Sequence, residues 1–253
     1  MNALRWLGAP VTEAGITERR FDLLRSGTVV PGILWRPEHP QRTLPLVLLG
    51  HGGSGHKRAD RQLQLARRFA ESQIAAVAID GPYHGDRLSE PLDSRQYQQQ
   101  MAATGVDTVT DSMVDDWFAV LDAIGSQNLI DTNRVAYLGL SMGTRFGLPF
   151  VAAAGPRLRC AVLGKYGLQQ PQSMPAAIDM SPRFTRDAPR ITIPLLFHVQ
   201  WDDELFPRPG QLNLFDLLGS PDKQLLTFPG PHGHTPPTAI TTWHEFVCRR
   251  LEL

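Results

Sequence analysis

The sequence predicts an α/β protein with a doubly wound, mostly parallel sheet. Short runs that are almost wholly apolar recur along the chain, as expected for strands covered on both faces. Between them lie segments with apolar residues at helical spacing. Such alternation of strands and helices is typical of a parallel sheet with helices on both sides. The predicted strands are 44–49, 74–79, 135–138, 160–163, 195–199 and 224–228, and the predicted helices are 60–72, 111–124, 144–154, 211–218 and 239–250.

The start of the chain differs from this pattern. Segments 20–24 and 28–35 look like antiparallel edge strands joined through Ser26-Gly27. Two later stretches, 86–110 and 165–192, lack a clear core pattern and follow strand ends, where α/β enzymes place their sites. The first segment fits either a cover over the active site or a simple surface loop. The second segment fits a short lid. Neither is long enough for a separate core, so 1–253 is predicted to be a single domain.

Composition excludes several classes of partner. The chain has 253 residues, 42% of them hydrophobic, with 25 basic and 25 acidic residues. This balance gives no reason to expect nucleic acid or an anionic membrane as partner. The spacing of Cys160 and Cys248 indicates neither a disulfide framework nor a metal site. Cys160 lies in an apolar run and is predicted to be a small core residue. The apolar runs are too short for a secretory signal or a membrane span, so we expect a soluble cytoplasmic protein.

The most informative motif is Gly139-Leu-Ser-Met-Gly143. An apolar strand precedes it and a helical segment follows it, which is the context that gives a G-x-S-x-G pattern meaning. A strained turn of this kind lifts one serine hydroxyl above the sheet, and glycines on both sides let strand and helix approach closely. The motif therefore predicts that Ser141 is a nucleophile.

An orienting acid for a catalytic histidine is expected just after a later strand. The strand 195–199 runs into an acidic turn that holds Asp202, Asp203 and Glu204. We favour Asp203, four residues before Pro207, with Asp202 as the alternative. The remaining acids fit a solvated turn before the next helix.

The base is expected in the loop 229–237, which is rich in Pro and Gly and carries two histidines. A loop lets an imidazole reach across to the serine. Glycines flank His232 and make room for that approach, so we favour His232 over His234. The chain order is then Ser, Asp, His.

Oxyanion donors are predicted in the Gly-rich loop that follows the first buried strand. Backbone N–H groups of Gly53 and Met142 are the expected pair. The loop matches neither phosphate-binding Gly pattern, and His51 and His56 lack the companion ligands of a zinc motif, so we expect no metal.

Two aromatic residues are candidates for substrate contact. Tyr83, in the segment Asp80-Gly-Pro-Tyr-His-Gly85, either lines the cleft with His84 or belongs to a rigid turn. Trp201, beside the acidic turn, either walls the pocket or packs elsewhere.

Taken together, these motifs resemble the α/β-hydrolase family over nearly the whole chain. The resemblance rests on His51-Gly-Gly, the segment 80–85, Gly139-Leu-Ser-Met-Gly143, and Asp203 with His232. It is strongest to small bacterial esterases related to dienelactone hydrolases, but those carry cysteine where this chain has Ser141, which favours serine ester hydrolysis. The resemblance implies an eight-stranded, mostly parallel sheet with an antiparallel second strand, and no cofactor.

The expected activity is hydrolysis of small to medium carboxylic esters through an acyl-enzyme. Amide or peptide cleavage is an alternative within the hydrolases. A cofactor-free haloperoxidase or an acyltransferase on the same triad is another, and a non-catalytic binding protein is a further one. The expected partner is a small-molecule ester, and the chain is expected to be a monomer or a homodimer.

Overall fold

The computed structural model describes residues 3–172 and 174–252. Strands and helices alternate after an antiparallel start, as predicted. The strands of the described part are β1 Ala3–Glu13, β2 Ile16–Arg25, β3 Thr28–Pro37, β4 Leu44–Gly50, β5 Ala75–Ile79, β6 Ile130–Gly139, β7 Cys160–Gly164, β8 Leu195–Gln200 and β9 Lys223–Phe228. The helices are α1 Asp60–Glu71, α2 Ser94–Thr104, α3 Val106–Gly125, α4 Met142–Ala154, α5 Ser181–Asp187, α6 Arg208–Leu217 and α7 Pro237–Arg250.

All of these strands form a single sheet in the order β1-β2-β3-β5-β4-β6-β7-β8-β9. The pairs from β5 through β4 to β9 are parallel, whereas β1, β2, β3 and β5 pair antiparallel. This arrangement confirms the predicted fold class. The expected count of eight strands is wrong for the described residues, which include a ninth strand at the N-terminus.

The additional strand β1 lies at the edge of the sheet beyond β2. Most of its side chains are exposed, so it has no alternation of apolar and polar residues that sequence analysis could detect. It pairs with β2 through the backbone, and Trp6 packs edge-to-face on Phe21 with the ring centroids 5.9 Å apart. β2 is therefore an inner strand rather than the edge.

Both faces of the sheet are buried. Along β4, Leu46 and Leu48 join one hydrophobic cluster, whereas Val47 and Leu49 join the other. Helices α3, α4 and α6 contribute to the first cluster, and helices α1 and α7 contribute to the second. This double burial explains the continuous apolar runs in the sequence. None of the helices in the described part is long and apolar enough to cross a membrane.

The segment 86–110, expected to lack a core pattern, is mostly helical. Helix α2 starts with a capping box, in which the Asp93 carboxylate accepts the N–H of Gln96 and the Gln96 side chain accepts the N–H of Asp93. Tyr97 and Met101 are its buried residues, which is too few for a detectable helical period. Helix α3 begins at Val106, five residues before its predicted start.

A buried carboxylate joins α3 to the antiparallel strands. Asp116, 1% exposed, accepts a hydrogen bond from Arg25 Nε at 2.5 Å and another from Arg87 Nη2 at 2.6 Å. The neighbouring Asp115 is exposed, and its carboxylate lies 3.5 Å from Arg25 Nη1. These two acids therefore offer a matched pair that differs in burial.

We predict that Asp116→Ala lowers the free energy of unfolding by about 3 kcal/mol, because it leaves two partly buried guanidinium groups without their shared carboxylate. Asp115→Ala should cost less than about 0.5 kcal/mol, as exposed ion pairs contribute little. Urea denaturation of both variants measures the difference. Equal destabilisation would contradict the importance given to the buried carboxylate.

Candidate active site

Ser141 lies in a strained turn between β6 and α4. Its backbone has φ 59° and ψ −119°, a left-handed φ that is unusual for a residue other than glycine. The Ser141 N–H donates to the Gly164 carbonyl at 2.9 Å, and the Ser141 carbonyl accepts the N–H of Thr144 and of Arg145. These bonds fix the strained turn from both sides.

The turn also needs a close approach of two backbones. A Cβ atom on Gly143, in the first turn of α4, would lie 2.6 Å from the carbonyl oxygen of Gly50 at the end of β4. Any side chain at position 143 would thus push the helix away from the strand that leads into the predicted oxyanion loop. The second glycine of the motif is therefore required by packing.

Ser141, His232 and Asp203 form a continuous chain of contacts. Ser141 Oγ lies 2.9 Å from His232 Nε2, and His232 Nδ1 lies 2.8 Å from Asp203 Oδ2. The Asp203 side chain is fully buried in the turn that follows β8, whereas the His232 side chain is 14% exposed. This is the geometry of a nucleophile, a general base and an orienting carboxylate.

Further hydrogen bonds hold Asp203. Its Oδ1 accepts the backbone N–H groups of Leu205 at 2.9 Å and Phe206 at 2.8 Å, and Gln211 Nε2 lies 3.4 Å from Oδ2. A carboxylate with this many donors has a fixed orientation. The direction of the His232 ring is fixed with it, because Oδ2 faces Nδ1.

The competing residues occupy supporting positions. Asp202 accepts the N–H of Gly230 at 2.8 Å, and Glu204 accepts the N–H of His232 at 2.8 Å. The bond from the His232 N–H holds the pKa of Glu204 below its usual value. His234 Nδ1 faces the Pro229 carbonyl oxygen at 3.3 Å. Asp202 and Glu204 thus hydrogen-bond to the backbone of the loop that carries His232 and not to the His232 ring.

A buried lysine, which was not predicted from the sequence, also holds this loop. Lys165 follows β7, is 2% exposed, and donates through Nζ to the carbonyl oxygens of His232 at 3.1 Å and His234 at 2.5 Å and to Thr235 Oγ1 at 2.9 Å. Burial lowers the pKa of Lys165 to about 8, and the nearby positive charge of Arg61 adds a smaller decrease. The negative charges of Asp203 and Glu204 oppose this shift. No local pattern indicates this role, because the three acceptors lie at least 67 positions away in the sequence.

The predicted oxyanion loop is held from beneath by two histidines. Burial lowers the pKa of His51 to about 3, so its ring is neutral: Nδ1 lies 2.8 Å from the Gly52 carbonyl oxygen, and Nε2 accepts the N–H of Gly81 at 2.8 Å. His84 Nε2 lies 2.9 Å from the Gly53 carbonyl oxygen. Both His51 nitrogens are thereby engaged in the fold.

Gly53 and Met142, the predicted oxyanion pair, are neighbours in space. A Cβ built on Gly53 would lie 3.9 Å from Met142 Cβ, and both residues line the cavity that contains Ser141. Their N–H groups remain the predicted oxyanion donors. No group of three or more metal-ligating side chains occurs among residues 3–172 and 174–252.

The segment 80–85 is a rigid turn. The buried Asp80 carboxylate accepts the backbone N–H and the Nζ of Lys57, at 2.8 Å and 2.5 Å, and the N–H of Asp86 at 2.8 Å. These bonds join the loop after β5 to the loop after β4. Asp80 therefore has the structural role that the rigid-turn interpretation of this segment predicts.

The cavity beside Ser141 has a volume of about 470 Å³. Segments 86–110 and 165–192 both contribute to its wall, with Tyr97 from α2 and Lys165, Tyr166 and Met174 from the stretch after β7. Arg145 lies one helical turn after Ser141 on the same face of α4, a spacing that could have revealed it in the sequence. The remaining lining residues are Gly52, Gly53, Ser54, Gly55, Ala59, Arg61, Gln62, Ser94, Gln98, Met142, Leu205, Phe206, His232 and Gly233.

The two predicted substrate contacts, Tyr83 and Trp201, are not among the residues that line this cavity. Tyr83 has a left-handed backbone, and its hydroxyl pairs with Thr104 Oγ1 at 2.8 Å. Trp201 is 43% exposed and stacks against the Arg208 guanidinium, 4.1 Å from the ring centroid. Their contact with substrate therefore stays a prediction, and Tyr97, Tyr166 and Phe206 supply the aromatic wall of the cavity.

Comparison with known proteins identifies the family of the chain. Residues 46–250 match the alpha/beta hydrolase family. The chain therefore belongs to the α/β-hydrolase family.

Among solved structures, a cold-adapted esterase from an Arctic intertidal metagenomic library is similar over 98% of this chain and 100% of its own, with 32% identity and a TM-score of 0.84. A putative dienelactone hydrolase from Klebsiella pneumoniae shares the fold, with 18% identity, a TM-score of 0.72, and coverage of 94% and 99% of the two chains. The quorum-quenching protein AidA of Acinetobacter baumannii is 29% identical over 110 residues, which span 44% of this chain and 31% of that protein.

We predict that Lys165→Met lowers kcat by about 10- to 100-fold, because the loop that carries His232 loses three hydrogen bonds and small displacements of catalytic groups are costly. The wild-type kcat should also decline as the pH rises through about 8. Below that pH the ammonium has three protons for three acceptors, and above it the neutral amine has two. Assays from pH 7 to 10 measure both effects, and the variant should lack the alkaline decline. A variant that keeps the wild-type profile would show that Lys165 does not position the loop.

Proposed function

We propose that this chain is a serine carboxylesterase that hydrolyses small to medium esters through an acyl-enzyme. The observation that carries the proposal is the chain of contacts from Ser141 through His232 to Asp203, which opens on a cavity of about 470 Å³. The overall similarity to an esterase with 32% identity supports the choice of ester bonds. The volume of the cavity fits a small substrate.

In the first step His232 Nε2 accepts the Ser141 proton while Oγ attacks the ester carbonyl carbon. Asp203 keeps the ring in the tautomer with a proton on Nδ1 and stabilises the imidazolium as it forms. The N–H groups of Gly53 and Met142 donate hydrogen bonds to the carbonyl oxygen and stabilise the negative charge that develops on it. Each such donor commonly contributes about 10²- to 10³-fold to turnover.

Collapse of the tetrahedral intermediate breaks the bond to the alkoxy oxygen, and His232 donates its proton to the leaving alcohol. Water then enters, loses a proton to His232, and attacks the acyl-enzyme. The second collapse returns the proton to Ser141 Oγ and releases the carboxylic acid. Asp203 remains ionised throughout.

We predict that Ser141→Ala lowers kcat for 4-nitrophenyl esters by at least about 10³-fold, because the nucleophile is lost. A series of acyl chains from acetate to decanoate, assayed with wild type and variant, measures the loss and the size limit of the cavity. Unchanged activity in the variant would rule out the serine mechanism. Equal turnover of matched anilides would indicate an amidase, and products that form only with peroxide or a competing alcohol would indicate the haloperoxidase or acyltransferase.

We predict that Asp203→Asn lowers kcat by about 10⁴-fold, because an amide no longer selects the correct tautomer of His232. Asp202→Asn is the matched control: it changes an exposed neighbour that contacts the Gly230 N–H and should cost less than about tenfold. Single-turnover assays of both variants, with circular dichroism as a check of folding, give the comparison. A larger loss in Asp202→Asn would reassign the orienting acid.

A further inference from the structure

The cavity beside Ser141 has an unbalanced charge. Three basic side chains, Arg61, Arg145 and Lys165, line it, whereas no Asp or Glu occurs among its described lining residues. Asp203 lies behind His232 and is occupied by that ring and by backbone donors. Lys165 donates its hydrogen bonds to the loop that carries His232. Two guanidinium groups are therefore left to act on whatever enters the cavity.

Arg145 is the more buried of the two. It is 2% exposed, and Nη2 donates to the Ile178 carbonyl oxygen at 2.6 Å. Its Nε is buried without a hydrogen-bond partner among the described residues, and no described carboxylate lies within 4.0 Å of the guanidinium. A buried charge without a counter-ion is unfavourable for the fold, so its presence at the wall of the cavity points to an anion that arrives from outside.

A tyrosine hydroxyl accompanies Arg145. Tyr166, on the same wall, has a buried hydroxyl with no hydrogen-bond partner in the described structure. Burial raises the pKa of Tyr166, and the positive charge of Arg145 opposes that rise. Arg145 acts in the same way on Tyr97, whose hydroxyl lies 3.6 Å from the Cβ position of Gly53 in the predicted oxyanion loop. The unpaired donors of Arg145 and Tyr166 therefore belong to residues that line the same cavity as Ser141.

Arg61 supplies a second positive charge from helix α1. No hydrogen bond or ion pair of its side chain occurs within the described residues, and its Nη2 lies 3.2 Å from the Cβ position of Gly52. Arg61 is half-buried, and this burial lowers the pKa of its guanidinium from the usual value. A bound anion would offset that loss of solvation.

We propose that the site takes esters that also carry a carboxylate, with Arg145 and Arg61 binding that carboxylate while Ser141 attacks the ester carbonyl. The proposal rests on the esterase activity proposed above and names its substrate class. Water cleaves the ester bond of such a half-ester, and the products are a dicarboxylate and an alcohol when the free carboxylate lies on the acyl side. Guanidinium groups suit this ligand because their planar donors match a carboxylate.

The test compares substrates that differ in one charge. With the carboxylate on the acyl side, the pair is 4-nitrophenyl hemiadipate and 4-nitrophenyl hexanoate. With it on the alcohol side, the pair is 4-acetoxybenzoate and 4-acetoxybenzamide. We expect wild-type kcat/KM to favour the anionic member of at least one pair by tenfold or more, and the preference to weaken in 0.5 M salt. A ratio at or below one in both pairs would overturn the proposal.

Variants assign the preference to the two arginines. Arg145→Met and Arg61→Gln should each reduce the ratio of anionic to neutral kcat/KM by about tenfold, and Arg145→Lys should restore part of it. Arg67→Gln is the matched control: it also lies on α1 but pairs with Glu13 away from the cavity, so its ratio should equal that of wild type. If Arg145→Met fails to fold, Arg61→Gln alone decides. A wild-type ratio in the folded arginine variants would overturn the proposal.

A binding measurement separates this proposal from the esterase activity. Calorimetry of Ser141→Ala with adipate, and with adipamide as the neutral control, requires no turnover. Binding of adipate that Arg61→Gln weakens would support the anion site even if every ester were inert, and inert esters would refute the esterase activity alone. Equal affinity for adipate and adipamide would refute the anion site while esters are still hydrolysed.

Discussion

The close contact between Gly143 and the end of β4 is the constraint on which the site depends. Because no side chain separates the two backbones, the helix that begins beside Ser141 sits directly against the strand that leads into the Gly-rich loop. Ser141 and the predicted oxyanion donors are therefore positioned by the same packing. The strained φ of Ser141 is maintained because hydrogen bonds to Gly164, Thr144 and Arg145 fix the turn.

Around this contact, polar groups connect segments that lie far apart in the sequence. Lys57 and Asp80 join the loops after β4 and β5, and Lys165 joins the end of β7 to the loop of His232. Each of these residues is almost completely buried, so each bond acts in surroundings where an unsatisfied partner would be costly. The loops at the carboxyl edge of the sheet are consequently fixed by charge-assisted bonds as well as by apolar packing.

The sequence predicted the parts of the molecule that have a local signature. The turn at Ser141 has its glycines, the inner strands have their continuous apolar runs, and Asp203 and His232 follow strands in a recognisable order. It did not predict β1, whose side chains are mostly exposed, or α2, whose burial rests on Tyr97 and Met101. The sequence also did not reveal the aromatic wall of Tyr97, Tyr166 and Phe206, since proximity in sequence to a predicted catalytic element does not decide which way a side chain faces.

Helix α2 has a consequence for how this protein can change. The helix supplies Tyr97 to the cavity wall, but Tyr97 and Met101 are its only buried side chains, and it is started by its own capping box. The serine, histidine and aspartate are held by other elements. Substitutions on the cavity side of α2 can therefore alter which molecules the cavity admits without changing the elements that hold Ser141, His232 and Asp203, which makes this helix a place to engineer selectivity.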